Sequence, residues 1–480
     1  MKKSIYNFAL TLFVGTALLT SCGEFGDMNV DPNRPSSPLT SSLLTSAQRG
    51  LTAPAANSIV GDATTVLYVQ HISEKQYTEA SRYQTNFFDF NPMYSGPLFD
   101  LQTIIDLNSD PETSGDVLAA GSNANQIAVA RILRAFYFSV ITDRWGEIPY
   151  SSALLGNANF SPNYDTQRDI YLDLINELKE AVAQMDGGPV VQGDFLMEGD
   201  MERWAQFANS LRLTLALRMS EVEPQVAQTE FAAAYQAGIL EADLLYPYLP
   251  ETNNQNPWYA RFITRVDYVA SNTMVDFMEP LNDPRLGVYS DPAAETGTIV
   301  GMPYGISNAV AGEITNDEVS YLGTATREQS SELPIMTVAQ LMFSLAEGAQ
   351  RDWISGDAAD FYNQGIEASF RQWGVFDQAS YDAYIAQPEV AYNPAAAMET
   401  IHQQKWAALF LQGTESWSEW RRTGFPVLAP AVDAVNESRQ IPRRHGYPVT
   451  ERDLNSTNYN AAVARQGADN LDTKVWWDAD

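Results

Sequence analysis

The sequence predicts a mainly α-helical fold of paired, TPR-like hairpins forming a solenoid scaffold, interrupted by one loop-rich insertion with little β-structure. Three observations predict it. First, apolar residues recur at helical spacing in segments that come in pairs. Tyr171, Leu174, Ile175, Leu178, Val182 and Met185 make one stripe, and Trp204, Phe207, Ala208, Leu211, Leu215 and Met219 make its partner. Val338, Leu341, Met342, Leu345, Ala346 and Ala349 pair in the same way with Phe361, Tyr362, Gly365, Ile366, Phe370 and Trp373. Second, from Gly238 to Leu333 the stripes give way to Asn, Pro and Gly. Third, 480 residues with 45% hydrophobic content can bury a large core, which sets disorder aside. A two-helix unit cannot bury its own stripe, so such units stack; the strict 34-residue TPR consensus is absent.

Taken in order, the chain opens with Lys2 and Lys3, an apolar run from Phe8 to Leu19, and Leu19-Thr20-Ser21-Cys22. This pattern resembles a lipoprotein signal peptide over residues 1–21, cleaved just before Cys22. Cys22 is the only cysteine, so no intrachain disulfide can form, and acylation is its expected chemistry. Residues 22–43 suit a lipidated tether, and 44–480 a single domain with its insertion at about 238–333. No later segment offers the 18 or more consecutive apolar residues of a spanning helix. Cys22→Ala is therefore expected to move the protein from the membrane pellet to the soluble fraction. Fractionation checks this, and a variant that still pellets with the membrane contradicts it.

Ser41 to His71 has a helical pattern broken at Pro54. Ser73 to Phe99 is not helix-periodic and interleaves aromatics with polar and turn residues. Loop aromatics can stack on a sugar ring or grip a peptide side chain, and Tyr83, Phe88 and Tyr94 are the ligand-binding candidates here. Of the loop's aromatics, Tyr77, Tyr83, Phe87, Phe88, Phe90, Tyr94 and Phe99, at least half are expected to pin the loop to the body. Asn125 to Ile141 reads as a mostly buried helix. Asp143, Arg144 and Trp145 beyond it read as a structural corner in which Arg144 pairs with a carboxylate. Thr166 and Asp169 are spaced as a capping box, and Gly187 with Gly188 follows that helix. In the insertion, Asn256-Pro257-Trp258-Tyr259 sets two large aromatics beside a proline, and Trp258 and Tyr259 complete the binding candidates. Near the C-terminus, Trp406 to Leu411 is wholly apolar and reads as a buried helix stopped by Gly413. Trp417 and Trp420 share one face of a second helix, with Arg421 and Arg422 in its last turn before Gly424. Core packing is the default reading of these tryptophans.

Several chemistries are excluded or left without a motif. A net charge of −31 argues against nucleic acid or anionic lipid as partners. His71, His402 and His445 stand far apart in sequence, without ligand spacing, and no GxSxG, GxxxxGK[ST] or GxGxxG occurs. No catalytic residue, metal ligand or cofactor is expected. The acidic loop from Asp194 to Asp200 leaves calcium open, although EF-hand spacing is missing.

The stretch QKWAALFLQGTESWSEWRRTGFPVLAP resembles the C-terminal signature of SusD/RagB-like nutrient-binding outer-membrane lipoproteins. NVDPNRP, TDRWGEIPYSSAL, WAQFANSLRLTLALR, IPRRHGYP and KVWWDAD resemble further blocks of that family, in order from about Val30 to Trp477. The resemblance implies a lipid-anchored, surface-facing outer-membrane protein on a right-handed TPR-like solenoid. It implies capture of oligosaccharides or peptides and their delivery to a TonB-dependent transporter of the SusC type. Two alternatives stay open: a TPR-like scaffold or assembly lipoprotein, and below it a surface glycoside hydrolase with facing carboxylates.

Overall fold

A computed structural model describes residues 39–52 and 58–479. The signal peptide, Cys22, NVDPNRP and Pro54 lie outside these residues. The scaffold helices are α1 (Thr40–Arg49), α2 (Phe99–Ser109), α3 (Asn123–Trp145), α4 (Gln167–Ala183), α5 (Met201–Arg218) and α6 (Pro224–Gln236). They continue as α7 (Val338–Gln350), α8 (Ala358–Gln372), α9 (Ala397–Ala408) and α10 (Gly413–Thr423). The fold is mostly helical, at 51%.

Half of these scaffold helices start where a side chain satisfies orphan N–H groups of the first turn. Ser122 accepts from Asn125, Thr166 from Asp169, Asp200 from Arg203 and Thr337 from Gln340, at 3.0 to 3.2 Å. Each such cap is worth about 1 kcal/mol. The apolar stripes then fix the packing: α2 lies on α3, α3 on α4, α4 on α5, α5 on α6, and α7 on α8. Small residues permit the close crossings. A Cβ at Gly365 of α8 would stand 2.9 Å from the Phe343 ring of α7, so that pair can approach only with glycine there.

Two short antiparallel ladders organise the insertion. β4 (Leu244–Tyr246) pairs with β6 (Leu333–Met336) and closes its base. β1 (Ile72–Glu74) pairs with β5 (Tyr268–Ala270), which ties the early aromatic loop to the insertion. β2 (Ile148–Pro149) and β3 (Tyr164–Asp165) form a third pair ahead of α4. Short helices, Pro257–Phe262, Asn272–Met278 and Asn308–Glu313, fill much of the rest.

The C-terminal helices differ from the sequence reading in one respect. α9 ends at Ala408, and the turn is made by Leu411 at φ +62°, while Gly413 opens α10. Gly413 is required for proximity rather than for a left-handed turn: a Cβ there would run into the backbone nitrogen of Val66 and Thr65 Oγ1. Gly424 does end α10, at φ +72°. Trp406, Phe410 and Trp417 are buried, and Trp420 is half-buried beneath the Arg443 guanidinium, 5.1 Å from the ring.

The corner at Asp143–Trp145 is structural. Arg144 Nη2 lies 2.9 Å from Asp62 Oδ2 with both groups buried, and Trp145 Nε1 donates to the Gly446 carbonyl at 3.0 Å. Asp143 bonds Tyr171 and Arg218 and takes the Trp477 indole N–H at 3.1 Å. Beside this corner His445 sits in an aromatic cage, stacked on Phe88 at 3.8 Å and on Trp417 at 5.2 Å. Among the described residues no helix is long and apolar enough to cross a membrane.

Candidate functional site

The ladder between β1 and β5 brings together the two stretches in which ligand-binding aromatics were expected. Past the ladder, the Lys75 N–H donates to the Asp267 carbonyl at 2.7 Å and Lys75 Nζ to the Ala311 carbonyl at 3.0 Å. The Thr78 N–H donates to Asn308 Oδ1 at 2.9 Å, and Asn308 Nδ2 donates to Glu79 Oε1 at 2.7 Å. A third segment completes the joint. The Asp433 carbonyl accepts from Arg82 Nε at 2.9 Å, and its carboxylate accepts from the Ser307 N–H at 2.7 Å.

Within this joint the backbone is strained twice, at Tyr77 (φ +55°) and Tyr83 (φ +65°). Bulky residues rarely adopt that region, at about 1–2 kcal/mol each, so the surrounding bonds must hold it. Glu74 does much of this, accepting from both the N–H and the hydroxyl of Ser81 at 2.8 and 2.9 Å. Burial pushes the Glu74 carboxyl up to about 7, with the Ser81 bonds pulling the other way. The consequence is directional: Tyr83 points inward and Tyr77 outward. Tyr77 is 59% exposed, and the Arg265 guanidinium lies over its ring at 4.8 Å, itself held by Asp267 at 2.7 Å.

Three of the five expected aromatics have no surface to offer. Trp258 is 0% exposed, packed edge-to-face on Tyr268 with the Arg261 guanidinium 4.5 Å from its ring. Tyr83 is 1% exposed, and its hydroxyl accepts from the Ala431 N–H. Phe88, at 6%, is the ring stacked on His445. Their direction is set by local backbone, a helix start at Trp258, a left-handed residue at Tyr83 and a bridge to Gly446 beside Phe88, which residue type alone does not reveal. Tyr94 is half-buried on Phe90 and Phe138, with its hydroxyl donating to the Pro149 carbonyl. Tyr259 is half-exposed on the helix Pro257–Phe262, whose start is capped by Asn256. Tyr77 was passed over as a site residue. Its polar flanks, Lys75, Gln76, Thr78 and Glu79, do not single it out, because Tyr83 has four polar neighbours as well and is buried.

Two cation-binding arrangements resolve into protein–protein contacts. In the Asp194–Asp200 loop the Asp194 carboxylate is taken up by the protein itself, accepting from Gln48, the N–H groups of Leu196, Met197 and Gly199, and the Trp204 indole. Asp200 caps α5. Glu347, His402 and Glu419 place one ligand atom each within 4.8 Å of one another, the spacing of a metal site. The cation there is the protein's own. Arg422 Nη2 lies 2.6 Å from Glu347 Oε2 and 2.9 Å from Glu419 Oε2, and Lys405 Nζ lies 2.8 Å from Glu419. His71 and His445 stand in different surroundings, so the three histidines assemble no common centre.

The family described as "Starch-binding associating with outer membrane" (SusD-like) matches residues 32–448. No curated protein matches the sequence. Among solved structures, the chain is similar to a chitin-binding protein at 29% identity, with a TM-score of 0.79 over 92% of this chain and 100% of that one. It is similar to a SusD homolog from Bacteroides uniformis at 25% identity, TM-score 0.78, covering 92% and 99% of the two chains. It also shares the fold of a chitin-binding SusD homolog from Flavobacterium johnsoniae at 24% identity, TM-score 0.77, covering 92% and 98%. The protein is a binding protein and not an enzyme. With the helical scaffold and a match over most of its length, the chain belongs to the SusD-like family of outer-membrane-associated proteins.

Proposed function

We propose that this protein captures a neutral oligosaccharide on the face built by the Ser73–Phe99 loop, the insertion and the segment around Asp433. In this reading acylated Cys22 holds it at the outer membrane, facing outward, and it passes its ligand to a SusC-like TonB-dependent transporter. The observation that carries the reading is Tyr77: an exposed ring on strained backbone, clamped by Arg265 and surrounded by Glu79, Asp267 and Asn308. Strain maintained at an exposed aromatic is characteristic of a site rather than of packing. The ring offers a flat face for sugar C–H groups, and the neighbouring carboxylates and amide bond hydroxyls. Charges of both signs around it suit a neutral chain better than a charged peptide. The chitin-binding neighbours and the starch-binding description of the family support the same ligand class. Tyr259 is a further candidate contact from the insertion.

Calorimetric titration with chitohexaose and maltoheptaose tests it. Tyr77→Ala is expected to weaken binding of the preferred chain by about 2- to 12-fold, the loss of one stacking contact. Its unfolding midpoint should change little, because the ring is exposed. Full affinity in both Tyr77→Ala and Arg265→Ala contradicts the assignment.

A further inference from the structure

A second feature of carbohydrate-site composition lies on the helical scaffold and shares no residue with the Tyr77 face. Between the C-terminal end of α6 and the outer side of α8 runs a hollow of about 760 Å³. It continues into another of about 350 Å³ at the turn between α7 and α8, and Tyr235 and Gln236 line both. Three half-buried aromatics stand along this cleft: Trp353, Tyr235 and Phe361. Their placement is built. Tyr235 meets Phe361 edge-to-face at 6.3 Å, and Trp353 meets Phe231 edge-to-face at 5.6 Å with the Arg351 guanidinium 5.4 Å from its ring. The rings are thus pinned from behind while keeping surface toward the cleft.

We propose that this cleft is a second glycan-binding site, which rests on the reading of the protein as an oligosaccharide-binding one. Each of its two hollows falls within the usual range for ligand sites, about 300–1,000 Å³, and the three aromatics stand along them. The rim is polar without being of one sign. Gln236 and Gln364 are exposed amides that both donate and accept, and Arg371 is paired to Glu367 at 2.8 Å. An occupant with flat apolar faces and edges of neutral hydroxyls satisfies both the rings and this rim. The exposed carboxylates of Glu241 and Asp352 at the rim turn a polyanion away, and an apolar helix would bury these groups and the exposed amides without partners. The site gives the protein two separate points of attachment for one polymer, which raises its avidity for a long chain without any new contact at the first face.

The test titrates the full mature chain with chitohexaose and maltoheptaose, with stoichiometry read by native mass spectrometry and affinity by calorimetry. The expected result is two equivalents of the preferred chain on the wild type. Tyr77→Ala should weaken one equivalent about 2- to 12-fold and leave the other unchanged, and that other equivalent should weaken about 2- to 12-fold in Trp353→Ala and in Tyr235→Ala. Gln364→Ala, on an exposed helical position, supplies a variant whose folding is not in question and is expected to weaken the same equivalent. A single equivalent that responds to Tyr77→Ala and to none of the cleft variants overturns the second site and leaves the first standing. A single equivalent that responds only to the cleft variants keeps the cleft and removes the Tyr77 face. Absence of binding by either chain overturns both.

Discussion

Arg422→Met is expected to destabilise the protein by on the order of 3–5 kcal/mol, the usual loss when one partner is taken from a buried ion network. Methionine keeps much of the side-chain volume, so the loss reports charge rather than a cavity. Arg422 joins two buried carboxylates from different helices, Glu347 of α7 and Glu419 of α10, at 2.6 and 2.9 Å. Burial by itself would raise both carboxyls. The Arg422 guanidinium overrides it, helped by His402 at Glu347 and by Lys405 at Glu419, and holds both well below the usual carboxylate range. Without Arg422, Glu347 keeps the partly exposed Arg351 and Glu419 keeps Lys405 and Arg218, but the two buried carboxylates lose the cation that bridges them. Urea unfolding checks this, and a loss under about 1 kcal/mol, the value of a solvated pair, contradicts it. The network matters to the candidate site because α10, packed against α9, supports the helix Ala63–Tyr68, from which the early loop emerges.

Acidification from pH 6.5 to pH 5 is expected to destabilise the protein, at about 1.4 kcal/mol per pH unit for each buried histidine that stays neutral in the native state. His71, His402 and His445 are all buried, and burial lowers the pKa of each; His71 falls to about 3 although its Nε2–H donates to the Trp406 carbonyl. At His445 the nearby Arg144, Arg421 and Arg444 lower it further. At His402 Glu347 pulls upward without compensating for burial. Below pH 6.5 the unfolded chain binds protons that these native histidines refuse. Their contribution is therefore full above pH 6.5 and is lost as pH falls toward the native values, at about 1.4 kcal/mol per pH unit for each. Glu74 acts in the opposite sense. Raised to about 7, it takes a proton in the native state between pH 7 and 4.5 that the unfolded chain does not, which offsets one histidine. Urea midpoints at pH 7, 6 and 5 measure the net slope, and Glu74→Gln should steepen it. A flat profile over this range contradicts the account.

The sequence made the scaffold legible because its signals are local and repeated. Thr166, Asp200 and Thr337 cap the helices that the stripes announce, and the pairings of α4 with α5 and α7 with α8 follow from those stripes. The turn at Leu411 was not legible. Glycine usually marks such a turn, and here Gly413 is reserved for close approach to Val66. The site was legible only as two stretches. Which aromatics within them face solvent depends on φ at Tyr77 and Tyr83 and on Glu74, Asn308 and Asp433, contacts that span more than 300 residues of chain. Trp258 illustrates the limit. Its setting in Asn-Pro-Trp-Tyr suggests an exposed loop, whereas Asn256 caps a helix there and turns the indole inward.

Hydrogen–deuterium exchange on the mature protein, with and without saturating chitohexaose or maltoheptaose, tests the central claim most directly. Capture on the loop–insertion face predicts ligand-dependent protection in peptides covering residues 75–82, 265–268 and 305–311, and loss of that protection in Tyr77→Ala. A bound chain that leaves these three segments exchanging as in the free protein would contradict it.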